Sequence, residues 1–170
     1  MLKVKGGDLD KMGLLFERYH RPLYGFLFHS THQKEASEDM VQNVFYRMLK
    51  YRHTFEGNGE FITWMYHLAR NVLIDYAKKS KKYVQQYDIA NFESSISGGA
   101  LADEPIQKEQ ELNTLQMALS KLSPESREVL ILSRFQELKY DEIAKILQIS
   151  EGNVKVRVHR AMGALRNIMC

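Results

Sequence analysis

The residues best suited to binding chemistry form one stretch, residues 57–82, in which a glycine-rich loop leads into an aromatic segment with a lysine-rich end. Gly57, Asn58 and Gly59 permit positive φ angles and close approach of the backbone to a ligand, although a plain turn between helices uses the same residue types. The lysines between positions 78 and 82 cannot be enclosed in a core and must meet water or phosphate. This chemistry suits the non-covalent holding of a polyanion.

The element that must position these groups is a long helix. Its apolar residues recur three to four positions apart in two adjacent stripes: Phe61, Met65, Leu68, Val72 and Tyr76, and beside them Ile62, Tyr66, Ala69 and Leu73. The two apolar stripes leave only a narrow polar strip on this helix. Such a helix is expected to be nearly enclosed by other helices. The loop and the lysine end are therefore the parts expected to meet a ligand.

Composition limits the fold and the compartment. The chain has 170 residues, 44% of them hydrophobic and 26% charged, which is ordinary for a soluble globular protein. Three prolines and many helix-forming residues favour an all-α fold. No apolar run is long enough to span a bilayer, so no membrane insertion is expected. The only cysteine, Cys170, cannot form an internal disulfide, which favours a reducing cytoplasm.

The charges divide the chain into three parts. Residues 1–83 carry a net charge of +5, residues 84–112 carry −5 and residues 113–170 carry +3. The helical periodicity fails from Tyr83 to Pro105, which is typical of a flexible linker. The sequence thus predicts two small helical domains, at residues 1–83 and 108–170, joined by a linker at 84–107. Basic domains suit a polyanion, and an acidic connector would not compete for it.

Two further helices are predicted in the first domain. The first runs from Asp8, its expected cap, to about His29, with a kink or break at Pro22. The second runs from about Glu35 to Tyr51. Its outer face is polar and has the composition of a solvated helix surface, with Asp39, Gln42, Asn43, Arg47 and Lys50.

The second domain shows the start and stop signals of several short helices. One helix is expected from Pro105, with Ile106, Leu112, Leu115, Leu119 and Leu122 facing inward. Ser123 followed by Pro124 predicts the capped start of the next helix. Residues Tyr140–Leu147 predict a short helix, Gln148 and Ile149 a turn, and Ser150 the cap of the last helix.

The last helix has two distinct faces. Its inward face is apolar: Val154, Val158, Ala161 and Leu165. The opposite face and its flank are mostly polar or basic: Asn153, Lys155, Val156, Arg157, His159 and Arg160. A short helix, a tight turn and a helix with a basic outer face indicate a DNA-binding helix-turn-helix, with a purely structural helix pair as the alternative.

Taken together, these motifs resemble those of bacterial sigma factors of the extracytoplasmic-function (ECF) group. In the first domain the resemblance lies in ASEDMVQNVFYRMLK (residues 36–50) and FITWMYHLARNVLIDYAKK (residues 61–79). In the second it lies in LSPESREVLILSRF (residues 122–135), YDEIAKIL (residues 140–147) and SEGNVKVRVHRAMGALR (residues 150–166). The two sets, in this order and joined by a short linker, are far more specific than any one of them.

The resemblance implies roles for three groups of residues. Core RNA polymerase would be bound by Glu38, Asp39, Gln42, Asn43 and Arg47. The separated strand of the minus-ten promoter element would lie near Gly57, Asn58, Gly59, Trp64, Tyr66, Arg70, Asn71, Lys78 and Lys79. The minus-thirty-five element would be contacted in its major groove by Asn153, Lys155, Val156, Arg157, His159 and Arg160.

The implied partners are core RNA polymerase, promoter DNA and an anti-sigma factor, without a cofactor or a metal. The chemistry of a melted strand fits, because an unstacked base needs a stacking surface, worth about 1–3 kcal/mol per base. Trp64 and Tyr66 offer such surfaces but could instead be core aromatics. Gln148, Asn153 and Val156 depart from the family pattern, so the upstream sequence that is read does not follow from the resemblance.

Two other classes of protein are alternatives to a sigma factor. An ordinary helix-turn-helix transcriptional regulator explains residues 113–170 but not the loop, aromatic and lysine arrangement. An enzyme is disfavoured, because the chain has no phosphate loop, nucleophile elbow or zinc signature. His29 and His32 lie near Glu35 and Glu38 without a known ligand spacing and are expected to be surface residues.

Overall fold

The computed structural model describes residues 1–57, 60–86 and 106–169, without the side chains of residues 82–86 and 106–110. Most of the linker assigned to residues 84–107 and the thiol of Cys170 lie outside this description. All regular elements within the described ranges are helical, and none of these helices is long and apolar enough to cross a membrane. The all-α prediction is confirmed.

The helices follow one another in two groups. The first group comprises α1 (Leu2–Lys5), α2 (Lys11–Thr31), α3 (Lys34–Lys50), a 3₁₀ turn (Arg52–Thr54) and α4 (Phe61–Gln86). The second comprises α5 (Ile106–Ser120), α6 (Pro124–Leu130), a π-helical turn (Ile131–Phe135), α7 (Tyr140–Leu147) and α8 (Glu151–Met169). We call the two groups the first half and the second half of the chain.

The start of α2 was predicted wrongly, and of the two outcomes expected at Pro22, a kink or a break, the break does not occur. The helix begins at Lys11 rather than at Asp8, because the amide of Asp8 bonds to the carbonyl of Lys3 in the turn that follows α1. Pro22 lies inside α2 and does not end it, since the helix continues to Thr31. The residues after Pro22 explain this: Leu23, Phe26 and Leu27 are fully buried, so tertiary packing outweighs the loss of one backbone hydrogen bond.

Two predicted helix caps of the second half are confirmed, whereas the predicted burial of one apolar residue is wrong. Ser123 Oγ accepts a hydrogen bond from the amide of Ser126, with Pro124 at the first position of α6. Ser150 Oγ likewise accepts from the amide of Asn153 at 3.2 Å. Leu112 was expected to face inward but is 50% exposed, because α5 buries its carboxyl-terminal part around Leu119 instead.

The two halves pack directly on each other and share one hydrophobic core. That core is continuous from Phe26 and Met65 in the first half to Leu132 and Ile143 in the second. Arg127 of α6 reinforces the junction: its Nη1 donates to the carbonyl of Ser30 at 2.9 Å, and its remaining donors bond carbonyls of the second half. Burial lowers the pKa of Arg127. The arrangement of the halves, which the sequence left open, is a closed one.

Candidate nucleic-acid interface

The loop before α4 is anchored by an aromatic cluster. Phe55 is 6% exposed, and its ring lies 5.4 Å from that of Trp64 and 6.1 Å from that of Phe61. Gly57 has a φ of 81°, a left-handed conformation that favours glycine. Asn58 and Gly59 lie outside the described residues. The described part of the loop is therefore shaped by its own buried phenylalanine and by the first turn of α4.

Trp64 belongs partly to this cluster and partly to the surface. Its ring is half-buried, and its Nε1 donates a weak hydrogen bond of 3.4 Å to Thr54 Oγ1. The indole thus ties the 3₁₀ turn to α4 while part of it stays accessible. The core-aromatic interpretation describes the packed part of Trp64, and the use of its accessible part as a stacking surface stays a prediction.

Tyr66 is buried at the junction of the two halves. It is 2% exposed, its ring packs against Phe26, and its hydroxyl donates to Gln136 Oε1 of the second half at 2.6 Å. Burial raises the pKa of Tyr66. Because the second half covers it, Tyr66 is a core residue in this closed arrangement, and its contact with a DNA strand stays a prediction.

Arg70 is also engaged by the second half. Its Nε donates to Glu128 Oε1 of α6 at 2.8 Å, and the two side chains are 30% and 17% exposed. Burial raises the pKa of Glu128, and the nearby guanidinium of Arg70 opposes that shift. No role is predicted for Glu128 or Gln136 from the sequence. An acid and an amide in a helix-rich segment are typical of a solvated surface, so no local signal marks them.

The lysine-rich end of α4 is exposed. Lys78 and Lys79 point into solvent, and Asn71 is half-buried. Near them Arg47 Nη2 donates to Asp75 Oδ2 at 2.7 Å, and this hydrogen bond lowers the pKa of Asp75. The lysines therefore remain available to phosphate, while Arg47 joins α3 to α4.

The expected polymerase-binding face of α3 is largely open. Glu38, Asp39, Gln42 and Asn43 are exposed, as the sequence predicts for the outer side of this helix. Arg47 is the exception, since it is half-buried and its Nε donates to Asn43 Oδ1 at 3.0 Å. A cavity of about 430 Å³ lies between this face and α4, with Asp39, Asn43, Asp75 and Lys79 among its lining residues.

The helix-turn-helix has the predicted geometry. The turn between α7 and α8 places Gln148 in the left-handed region at a φ of 57°. Val154, Val158 and Ala161 are buried, while the predicted contact face is exposed throughout: Asn153, Lys155, Val156, Arg157, His159 and Arg160. These six side chains are the expected base and phosphate contacts, and the first half leaves them uncovered in the closed arrangement.

The two histidines near the end of α2 are not the surface residues that the sequence suggests. His29 is half-buried between the halves, where Gln116 Nε2 donates to its Nδ1 at 2.6 Å and the ring of Phe135 lies 4.3 Å away. His32 is also half-buried, and burial lowers the pKa of both imidazoles. Within the described part of the chain, no three histidine, cysteine or acidic side chains are grouped to hold a metal ion.

Both halves of the chain match families of known proteins. Residues 15–83 match the model of sigma-70 region 2, and residues 112–165 match that of sigma-70 region 4. The ECF RNA polymerase sigma factor SigX of Bacillus subtilis (strain 168) is 34% identical over 92% of this chain and 82% of its own length. SigW of the same organism, also an ECF sigma factor, is 31% identical over 96% of this chain and 91% of its own length.

Solved structures share the fold. The sigma factor RpoE of Bartonella quintana, in complex with the anti-sigma factor NepR, has a TM-score of 0.78 at 24% identity, covering 92% of this chain and 95% of that one. CnrH, in complex with the cytosolic domain of CnrY, has a TM-score of 0.75 at 20% identity, covering 99% and 93%. With its two region matches and full-length relatives, the chain belongs to the ECF group of bacterial RNA polymerase sigma factors, which direct promoter recognition and transcription initiation.

Proposed function

We propose that α8 carries promoter recognition at the minus-thirty-five element through its exposed face. The observation that carries this assignment is the two-sided character of α8, which buries Val154, Val158 and Ala161 while the five polar or basic positions of the contact face, and Val156 among them, stay exposed. Arginine and asparagine are common readers of base edges in the major groove, and lysine is a phosphate contact. Asn153 is the proposed base reader, and Arg160 and Lys155 position the helix on the phosphate backbone.

The minus-ten strand is proposed to lie along the loop and α4. The accessible part of Trp64 offers a stacking surface beside Phe55, and Lys78 and Lys79 offer phosphate contacts farther along the helix. Arg70 can join this surface only after it leaves Glu128. Strand binding by Arg70 therefore requires the two halves to part.

Core RNA polymerase is proposed to dock on α3 through Glu38, Asp39, Gln42, Asn43 and Arg47. The support is their shared, mostly exposed face and the cavity beside it. An anti-sigma factor is the second proposed partner, by analogy with the RpoE–NepR complex that shares this fold. The polymerase supplies the chemistry of RNA synthesis, so no catalytic residue is assigned to this chain.

Transcription and DNA-binding assays with purified core polymerase test the assignment. Arg160→Ala should weaken binding to the minus-thirty-five element and reduce the salt dependence of that binding, with a slope change of about 1 if a phosphate contact is lost. Arg166→Ala is the matched control, because Arg166 is an exposed arginine of α8 outside the proposed face. Equal effects of the two substitutions would contradict the assignment of the face.

A second experiment tests strand opening at the minus-ten element. Trp64→Ala should reduce permanganate reactivity of the minus-ten thymines more than it reduces formation of the closed complex, because the stacking surface acts only on an unpaired base. Normal melting by Trp64→Ala would contradict the proposed strand site. A chain that binds promoter DNA and regulates transcription without core polymerase would instead be an ordinary helix-turn-helix regulator.

A further inference from the structure

The short helix α1 packs directly against the loop that precedes α4. Val4 is fully buried, which fixes α1 to the body of the first half. Lys5 Nζ donates a hydrogen bond of 2.6 Å to the carbonyl oxygen of Phe55. Leu2 lies over the other end of the loop: a Cβ placed on Gly57 would come within 2.7 Å of its Cδ2. The loop is therefore contacted by α1 at both Phe55 and Gly57.

These contacts hold the described part of the loop, from Phe55 to Gly57. On one side, the side chain of Phe55 is held by the rings of Phe61 and Trp64. On the other, its carbonyl is held by the ammonium group of Lys5, and a hydrogen bond to a charged donor is stronger than one between neutral groups. With the side chain and the carbonyl both fixed, the backbone that leads to Gly57 has little freedom to rotate.

We propose that α1 belongs to the minus-ten strand site and that Lys5 is a positioning residue for it. This inference rests on the proposed strand-binding role of the loop. A pocket for an unstacked base must be preorganised to discriminate between bases, because a displaced backbone group no longer meets its hydrogen-bonding partner. By holding the carbonyl of Phe55, Lys5 sets the position of the loop and thereby the choice of base.

Lys3 provides a matched control on the same helix. It is exposed, and its ammonium group forms no hydrogen bond or ion pair with the described residues. Lys3→Met removes the same charge from the same helix as Lys5→Met but leaves the bond to Phe55 intact. Lys5→Arg keeps a charged donor near the carbonyl and serves as the conservative variant.

Two measurements on the full chain test the proposal. Amide hydrogen exchange, read by mass spectrometry, reports the loop itself without DNA. Opening of four promoter templates that differ only in the base at the melted minus-ten position, assayed with core polymerase, reports base choice. We expect Lys5→Met to speed exchange in residues 52–57 and to reduce opening of the preferred template about tenfold, with a smaller loss on the others. Lys5→Arg should restore the pattern, and Lys3→Met should behave like wild type.

The possible failures are distinguishable. Unchanged exchange and unchanged template pattern in Lys5→Met would overturn the proposal. Faster exchange with an equal loss on all four templates would also overturn it, because that result assigns Lys5 a structural role alone. Absence of opening by the wild-type chain would refute the proposed strand-binding function itself, whereas normal wild-type opening with an unaltered pattern in Lys5→Met refutes only the role of α1.

Discussion

The contact between Arg70 and Glu128 allows a quantitative test of how the two halves hold each other. Arg70→Met leaves the carboxylate of Glu128 mostly buried and without its cation, which is expected to cost about 1–3 kcal/mol at neutral pH. Glu128→Gln instead removes the buried charge. Because burial is the larger influence on the pKa of Glu128 and outweighs the pairing with Arg70, this substitution should change the free energy of unfolding by less than about 1 kcal/mol.

The pH dependence of the Arg70→Met defect has a definite sign. Burial raises the pKa of Glu128 in the folded chain, so protonation of this carboxyl favours the folded state, and the benefit is lost as the pH rises through the folded-state pKa. Without Arg70, which lowers that pKa, the folded-state pKa moves higher still. The difference in stability between Arg70→Met and wild type should therefore shrink between pH 7.5 and pH 5.

The assay is urea unfolding of wild type, both single variants and the double variant at each pH. Trp64 is the only tryptophan, so its fluorescence reports the first half, while far-UV circular dichroism reports all helices. Coincidence of the two transitions tests whether the halves unfold together. In the Glu128→Gln background, Arg70→Met should cost less than about 0.5 kcal/mol, because no buried carboxylate remains.

An exposed ion pair supplies the control. Lys145 Nζ lies 3.9 Å from a carboxylate oxygen of Glu60 and 3.7 Å from one of Asp141, with all three side chains about half exposed. Lys145→Met should cost less than about 1 kcal/mol, since exposed pairs are screened by water. Equal losses for Arg70→Met and Glu128→Gln at pH 7.5, or a defect of Arg70→Met that persists unchanged at pH 5, would refute the reasoning.

Two further predictions concern the junction and the loop. Burial is the main cause of the lowered pKa of His29, so the unfolded chain takes up a proton first, and the free energy of unfolding should fall as the pH drops below about 6.5. In urea titrations between pH 7.5 and 5.5, His29→Gln should reduce the pH dependence of the free energy of unfolding, and the dependence that remains is due to His32. The same pH dependence in His29→Gln and wild type would contradict this. Gly57→Ala should destabilise the chain by about 1 kcal/mol through its positive φ, and Leu2→Ala should not restore it, because the exposed Leu2 side chain is free to move. Full recovery in that double variant would identify a clash as the cause instead.

Local rules predicted much of the secondary structure. The caps at Ser123 and Ser150 follow from the hydrogen-bonding needs of a helix start, and the helix-turn-helix follows from the spacing of Val154, Val158 and Ala161. Where local rules were wrong, packing explains it. Pro22 stays within α2 because the residues that follow it are buried in the core.

The candidate sites were predictable to different degrees. The exposed face of α8 agrees with the expectation from helical spacing, although its contacts with DNA, like the domain boundaries, stay predictions. The environment of Tyr66 was not predictable, because its partner Gln136 lies 70 residues away in the sequence. The contact made by Lys5 was not predictable either, because its partner Phe55 lies 50 residues away in the sequence.

Residue types at fixed short spacing are enough to predict the family, the helices and the faces that α3 and α8 present to solvent. They do not predict that the second half holds Tyr66 and Arg70, or that α1 contacts the loop at Phe55. A hydrogen bond between distant segments depends on how whole helices pack, and the type of a single side chain does not specify its distant partner.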